Sequence, residues 1–351
     1  MQSDWLPQLH RLATQIPELA PFIEDYLRIN LVIDANFVQQ ELQWRLKRRK
    51  PEARTKLNES ASSGVVVLFA PTHLVKEIED DLQEIANRLG CTVEQARVEW
   101  EAFRQQLHLY TPRAAKLRAG LTVVDPDDLP YIAACHDLAA HAVYSRDKHL
   151  RQMEAPVISV AIDASLQSYA RANSVRLAFM AGSAVSVRLS MQGIKAVAGV
   201  VVKLYGGFRR LHPALQIAIV GGLVYVFVDE KLRTRFLGFL KRMGQAAAPL
   251  LEALAIAAEQ FQITEVTLQT AKKEIVAVLP VRQRMPVVAK ARRICLVSRQ
   301  PVPLRELERR IVADGHNTNS AHFGSYLRRV LRSSGEFVET SAGWRLLIQK
   351  Q

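Results

Sequence analysis

Two short apolar runs constrain this chain more than any other feature. Leu31-Val32-Ile33 ends in Asp34, and Val65 to Ala70 (VVVLFA) holds no polar residue. Runs this short, apolar at every position, suit strands of a parallel sheet buried on both faces. Each is followed by a charged stretch of helical character. After the first comes Phe37 to Asn58, which includes the basic run Lys47-Arg48-Arg49-Lys50, most simply a solvated face. After the second, Pro71-Thr72 opens HLVKEIEDDLQEIANRLG, with Thr72 as the expected N-cap and Gly90 as its end. A further amphipathic helix is expected from Thr92 to about Leu107, packing through Val93, Ala96, Val98, Trp100 and Phe103. Strand, helix, strand, helix in this order predicts an α/β fold, a parallel sheet flanked by helices.

The stretch Val123 to Leu150 concentrates the chemistry. Leu121 to Val124 resumes an apolar alternation, and Asp125, Asp127 and Asp128 then precede a helix-favouring segment with Tyr131, Ile132 and Leu138 on its apolar face. A β-type run, Ala142-Val143-Tyr144, delivers Ser145-Arg146-Asp147, and Val157 to Val160 reads as a last strand. Ligands of open α/β sheets bind beyond the carboxyl ends of the strands. Aspartates there suit a hard cation, whereas Asp at a helix start also serves as an ordinary cap; both readings fit this stretch alone. His73, His136, His141 and His149 lie loosely near it and read most simply as solvent-facing or packing residues.

Charge divides the chain. Residues 1–160 hold 19 Lys and Arg against 22 Asp and Glu, while residues 161–351 hold 28 against 12. An acidic part able to hold metal and a basic part able to hold a polyanion is one reading; solubility or contact with anionic lipid is the other. The three cysteines are far apart and offer no zinc spacing. No phosphate-binding glycine loop and no nucleophile triad are present. The first residues lack the basic-then-apolar layout of a signal peptide, so a cytoplasmic location is expected.

Beyond a connecting helix over 162–180 the sequence becomes strongly apolar. Ala214 to Val228 carries no charge over fifteen residues, too few to span a bilayer as a helix, which needs roughly 20. Together with Ala196 to Tyr205 it reads either as a buried core or as a shallow membrane hairpin over 195–228. An amphipathic helix is expected from Phe236 to Phe261. At the end of the chain, Val288 to Val297, Pro303 to Ala313 and a third segment through SYLRRVLRSS read as helices, the third capped by Asn319 or Ser320. Phe337 to Thr340 and Trp344 to Leu347, joined through Ser341-Ala342-Gly343, read as a hairpin. Three helices and a hairpin resemble a winged helix-turn-helix, with Arg328, Arg329 and Arg332 on the recognition helix as candidate DNA or RNA contacts, supported by Asn317, Asn319, Ser320 and His322.

Gathered in order, Val-Ile-Asp34-Ala-Asn36, Pro71-Thr-His-Leu-Val-Lys-Glu77-Ile, Asp125-Pro-Asp-Asp128-Leu-Pro-Tyr-Ile-Ala and Ser145-Arg-Asp147 resemble a PIN domain over residues 29–160. The resemblance implies a Mg²⁺- or Mn²⁺-dependent ribonuclease acting on RNA, with Asp34, Glu77, Asp128 and Asp147 as both catalytic and metal-binding carboxylates. Asn36 and Ser145 are supporting residues beside the first and last aspartates. Asp125 and Asp127 are near enough to take the third place, and the helix register favours Asp128. The expected organisation is an N-terminal helical extension (1–28), the PIN-like domain (29–161), a helical, partly apolar middle region (162–287) and a winged-helix-like domain (288–351). Two rivals share this layout: a catalytically silent nucleic-acid-binding regulator, and a PIN effector tethered to a membrane.

Overall fold

A computed structural model of the chain describes residues 27–50, 53–113, 123–153, 155–188, 234, 241, 248–280, 286–298, 300–316, 318 and 322–347. The expected N-terminal helices, the apolar segment 195–228, and Asn317, Asn319 and Ser320 lie outside the described residues. No helix among the described residues is long and apolar enough to cross a membrane.

The chain divides into two compact units. One contains three described helices: α2 (Lys56–Ser62), α7 (Asp163–Arg188) and α8 (Ala248–Val278). Glu59 of α2 is buried, and Arg171 of α7 grips it with Nε at 2.5 Å and Nη2 at 2.8 Å. Arg176 on α7 pairs with Glu265 on α8 at 3.3 Å.

The other unit holds the sheet and the C-terminal helices. Its elements are β1 (Ile29–Ile33), α1 (Ala35–Lys47), β2 (Val66–Pro71), α3 (His73–Leu89), α4 (Val93–Arg104), β3 (His108–Tyr110), α5 (Leu129–Asp137), β4 (Ala142–Tyr144), α6 (Lys148–Gln152) and β5 (Val157–Ile158). After them come α9 (Val287–Ser298), α10 (Leu304–Ala313), α11 (Phe323–Ser333), β6 (Phe337–Thr340) and β7 (Gly343–Leu346). The first five strands form one wholly parallel sheet in the order β3-β2-β1-β4-β5. All five residues of β1 are buried, as an apolar run between helical layers requires. Each such aliphatic side chain contributes about 1.5–3 kcal/mol relative to exposure.

Several local expectations need correction. Of the alternation at Leu121 to Val124, Leu121 and Thr122 lie outside the described residues, and Val123 and Val124 are exposed and outside the sheet. The edge position belongs to β3, whose three half-buried residues carry too little pattern to stand out. Helix α4 stops at Arg104 to make room for it. Val98 faces solvent at 59% exposure, because Ala96, Trp100 and Phe103, spaced four and three apart, define the packed face. Thr72 takes the N-cap position of α3 without a capping bond; its hydroxyl instead meets that of Thr111 at 3.2 Å. Gly90 ends α3 in a left-handed conformation, φ 67°, as a terminal glycine does.

The C-terminal helices and hairpin enclose a small core of Leu307, Ile311, Leu327, Leu331, Phe337 and Trp344. Val302 and Trp344 exchange backbone hydrogen bonds of 2.8 Å, adding a bridge to the β6–β7 hairpin. Gly343 is required there. Its φ is 135°, and a Cβ would lie 2.4 Å from the Val302 carbonyl. The third helix begins after His322 rather than after Asn319 or Ser320.

Candidate functional site

In this strand order the connections leave β1 toward β2 and β4 toward β5, in opposite directions. A crevice therefore opens beyond the carboxyl ends of β1 and β4, where open α/β sheets bind ligands. Asp34 is the first residue after β1 and is 3% exposed. It caps α1: Oδ1 accepts from the Phe37 amide at 2.8 Å. Its Oδ2 accepts a very short hydrogen bond from Ser145 Oγ, the first residue after β4. Ser145 Oγ also accepts from the Asp147 amide at 2.8 Å. One buried hydroxyl thus joins the first and last aspartates of the motif. Asp147 caps α6, with Oδ1 accepting from the His149 amide at 2.7 Å. Asn36 does not share this work. It is exposed and makes no hydrogen bond to Asp34, because the first turn of α1 carries it outward.

Glu77 stands on α3 one turn from its start. Its Oε2 accepts from Tyr131 Oη at 3.0 Å and lies 3.7 Å from His73 Nε2. Burial and the neighbouring carboxylates raise the Tyr131 phenol well above its ordinary value, so it remains a donor. The His73 ring meets Tyr131 edge-on at 4.9 Å. Both its nitrogens are buried without a hydrogen-bond partner among the described residues, and desolvation lowers its pKa.

The aspartates ahead of α5 divide their roles. Asp125 caps the short 3-10 turn Pro126–Asp128, accepting from the Asp127 amide at 3.0 Å. Asp128 sits at the N-cap of α5 but makes no capping bond. Its Oδ2 is buried and has no hydrogen-bond partner among the described residues. Burial first, then the charges of Asp147, Asp125 and Asp34, push its carboxyl up to about 6. The ordinary-cap reading therefore holds for Asp125 and not for Asp128.

The four motif carboxylates share one electrostatic environment. Asp34 is raised by burial and by Asp147, despite the lowering effect of its hydrogen bonds. Glu77 is raised by burial and by Asp81, Asp127 and Asp34. Acidic groups gathered in this way are costly unless a cation neutralises them.

Asp125, Asp128 and His149 offer ligand atoms that all lie within 4.8 Å of one another, a donor set able to hold a metal ion. The unpartnered Asp128 oxygen and the mutual repulsion of the carboxylates fit a divalent cation. His149 was not separable by sequence from the other histidines nearby. The one available signal was its place two residues after Asp147, in the first turn of α6. Tyr131 read as part of an apolar face, and only the fold turns its hydroxyl to Glu77.

Arg328, Arg329 and Arg332 lie on α11. Arg328 and Arg332 both reach Glu339 of β6, at 3.4 and 2.6 Å, and the Arg329 guanidinium lies 5.9 Å from the Tyr326 ring centre. With Arg305 and Glu308 of α10 they line an open groove of about 930 Å³. Comparison with protein-family models, curated proteins and solved structures finds no match for the chain.

Proposed function

We propose that this protein is a PIN-like, Mg²⁺- or Mn²⁺-dependent endoribonuclease, with a C-terminal winged helix that contacts nucleic acid. The observation that carries the reading is the electrostatic convergence of Asp34, Glu77, Asp128 and Asp147 at the carboxyl edge of the sheet, where an unpartnered carboxylate oxygen remains. Asp34, Glu77, Asp128 and Asp147 would hold the ion, with Asp125 and His149 supplementing Asp128. When bound, Mg²⁺ or Mn²⁺ supplies Lewis-acid activation of water and of the scissile phosphate.

The chain's own groups prepare that chemistry. Ser145 directs Asp34 Oδ2 and ties it to the loop bearing Asp147. Tyr131 holds the Glu77 carboxylate by one oxygen, and the other would be offered to the ion. Asp128, raised to about 6, is largely ionised at neutral pH and would offer its unpartnered oxygen to a bound cation. The arginines of α11 are candidate phosphate contacts for a bound RNA strand.

The decisive test is Asp34→Asn with end-labelled RNA in Mn²⁺. Cleavage is expected to disappear while the circular dichroism spectrum and the melting transition persist. Equal cleavage by the variant and the parent would refute the assignment.

A further inference from the structure

Helix α5 places its two ends in different surroundings. Its N-terminal end carries Asp128 and Tyr131, both part of the acidic cluster. Its C-terminal end runs into a turn at Ala139, where φ is 48°, the left-handed region that residues with a Cβ rarely adopt. Three residues later β4 begins, and Ser145 and Asp147 follow directly on its end at Tyr144. One turn therefore joins the element bearing Asp128 to the element bearing Asp147.

That turn is held by side chains from about 155 residues further along the chain. Arg293 of α9 donates through Nη1 to the Ala139 carbonyl in a very short bond and reaches the Leu138 carbonyl at 3.4 Å. Its Nη2 lies 2.5 Å from Asp314. Arg292, next to it, donates to the Asp137 carbonyl and forms a forked pair with Glu336 at 2.7 and 2.9 Å. Both arginines are buried, at 7% and 4% exposure. The last carbonyls of α5 have no partners further along the helix, and cations at that end complement its dipole. The Asp137 carboxylate is occupied as well, accepting from Tyr110 Oη and the Arg113 amide at 3.0 Å each.

We infer that Arg292 and Arg293 are positioning residues for the acidic site, acting through α5 and its turn into β4. The C-terminal helices are then part of the site's scaffold as well as a separate binding surface. A helix of nine residues is a rod of about 14 Å, so a shift at its clamped end is carried to Asp128 with little loss. Misplacement of a reacting group by about 1 Å can cost on the order of 100-fold in rate. The forked geometry matters because a guanidinium can hold the turn carbonyls and Asp314 together, which a lysine ammonium cannot do as rigidly.

This inference rests on reading the cluster as a metal site, and two measurements on the full chain keep the two claims apart. The first is Mn²⁺ affinity by electron paramagnetic resonance; the second is amide hydrogen exchange of residues 126–133 without metal. Arg293→Met is expected to weaken Mn²⁺ binding and speed exchange of 126–133, each by about tenfold or more. Amides of β1 and β2 should keep their protection. A merely structural arginine would instead speed all of these amides together, which would overturn the proposal. So would a folded Arg293→Met with both readings within twofold of the parent. Arg293→Lys should recover part of each effect. If Arg293→Met does not fold, unchanged readings in Arg293→Lys overturn the proposal. A parent that binds Mn²⁺ no better than Asp128→Asn sinks the metal reading, and the metal-free exchange then decides the positioning claim alone.

Discussion

Asp128→Asn should stabilise the metal-free protein, against the usual expectation for loss of an N-terminal helix aspartate. The carboxyl rises from 3.8 to about 6, first through burial and then through Asp147, Asp125 and Asp34. At 1.36 kcal/mol per unit the full shift corresponds to about 3 kcal/mol, and partial exposure to solvent reduces this to about 1 kcal/mol. The sign follows from the direction of the shift. A carboxyl whose folded pKa exceeds its unfolded one favours folding while protonated. That contribution is fully present below about pH 4 and is lost as the pH rises to about 6. The amide variant carries no such charge.

The assay is urea unfolding in EDTA at pH 4 and pH 8, followed by tryptophan fluorescence, since Trp100 of α4 is fully buried. The variant's midpoint at pH 8 should exceed the parent's by about 0.3–0.5 M urea, and the advantage should disappear at pH 4. Adding Mn²⁺ should reverse the order at pH 8, because a ligand at 100 times its Kd stabilises the parent by about 2.7 kcal/mol. A variant less stable than the parent by the same amount at both pH values would refute the reasoning. Asp128 would then be an ordinary cap.

Other expectations follow from the same contacts. Ser145→Ala frees Asp34 Oδ2 and should lower Mn²⁺ affinity and RNA cleavage by about 10–100-fold with little change in RNA binding, read from metal titrations and initial rates. Glu336→Ala leaves Arg292 buried without its forked partner and should cost about 3–5 kcal/mol in a denaturant titration. Burial raises the Glu336 carboxyl, but Arg292 and Arg113 hold it below its ordinary value overall. The parent should therefore lose this contribution only as the pH falls below about 4.5, and Glu336→Gln should abolish that part of the acid dependence. Arg328→Ala with Arg332→Ala should weaken RNA binding and reduce the slope of log affinity against log salt by about 0.7 for each lost phosphate contact in single-stranded RNA, measured by gel shift.

The sequence by itself determined the parallel sheet and the edge of it at which the candidate site lies. Runs such as Leu31 to Ile33, alternating with helical stretches, suit strands buried on both faces, and a carboxylate directly after such a strand or in the first turn of the next helix then falls at the sheet's carboxyl edge. Asp34, Glu77, Asp128 and Asp147 stand at such element ends, and the resemblance to a PIN domain is what singled them out as a set. The edge strand at His108 escaped notice because three half-buried residues have no periodicity. Which aspartate of Asp125, Asp127 and Asp128 is left unpartnered was a matter of backbone geometry: the Asp127 amide engages Asp125, while the turn directs Asp128 into the cluster. His149 and Tyr131 joined the site only through folding, since neither residue type nor spacing separates them from packing residues. The clamp of Arg292 and Arg293 on the end of α5 was the least legible feature of all. It depends on contacts about 155 residues apart, made to backbone carbonyls that carry no side-chain signature.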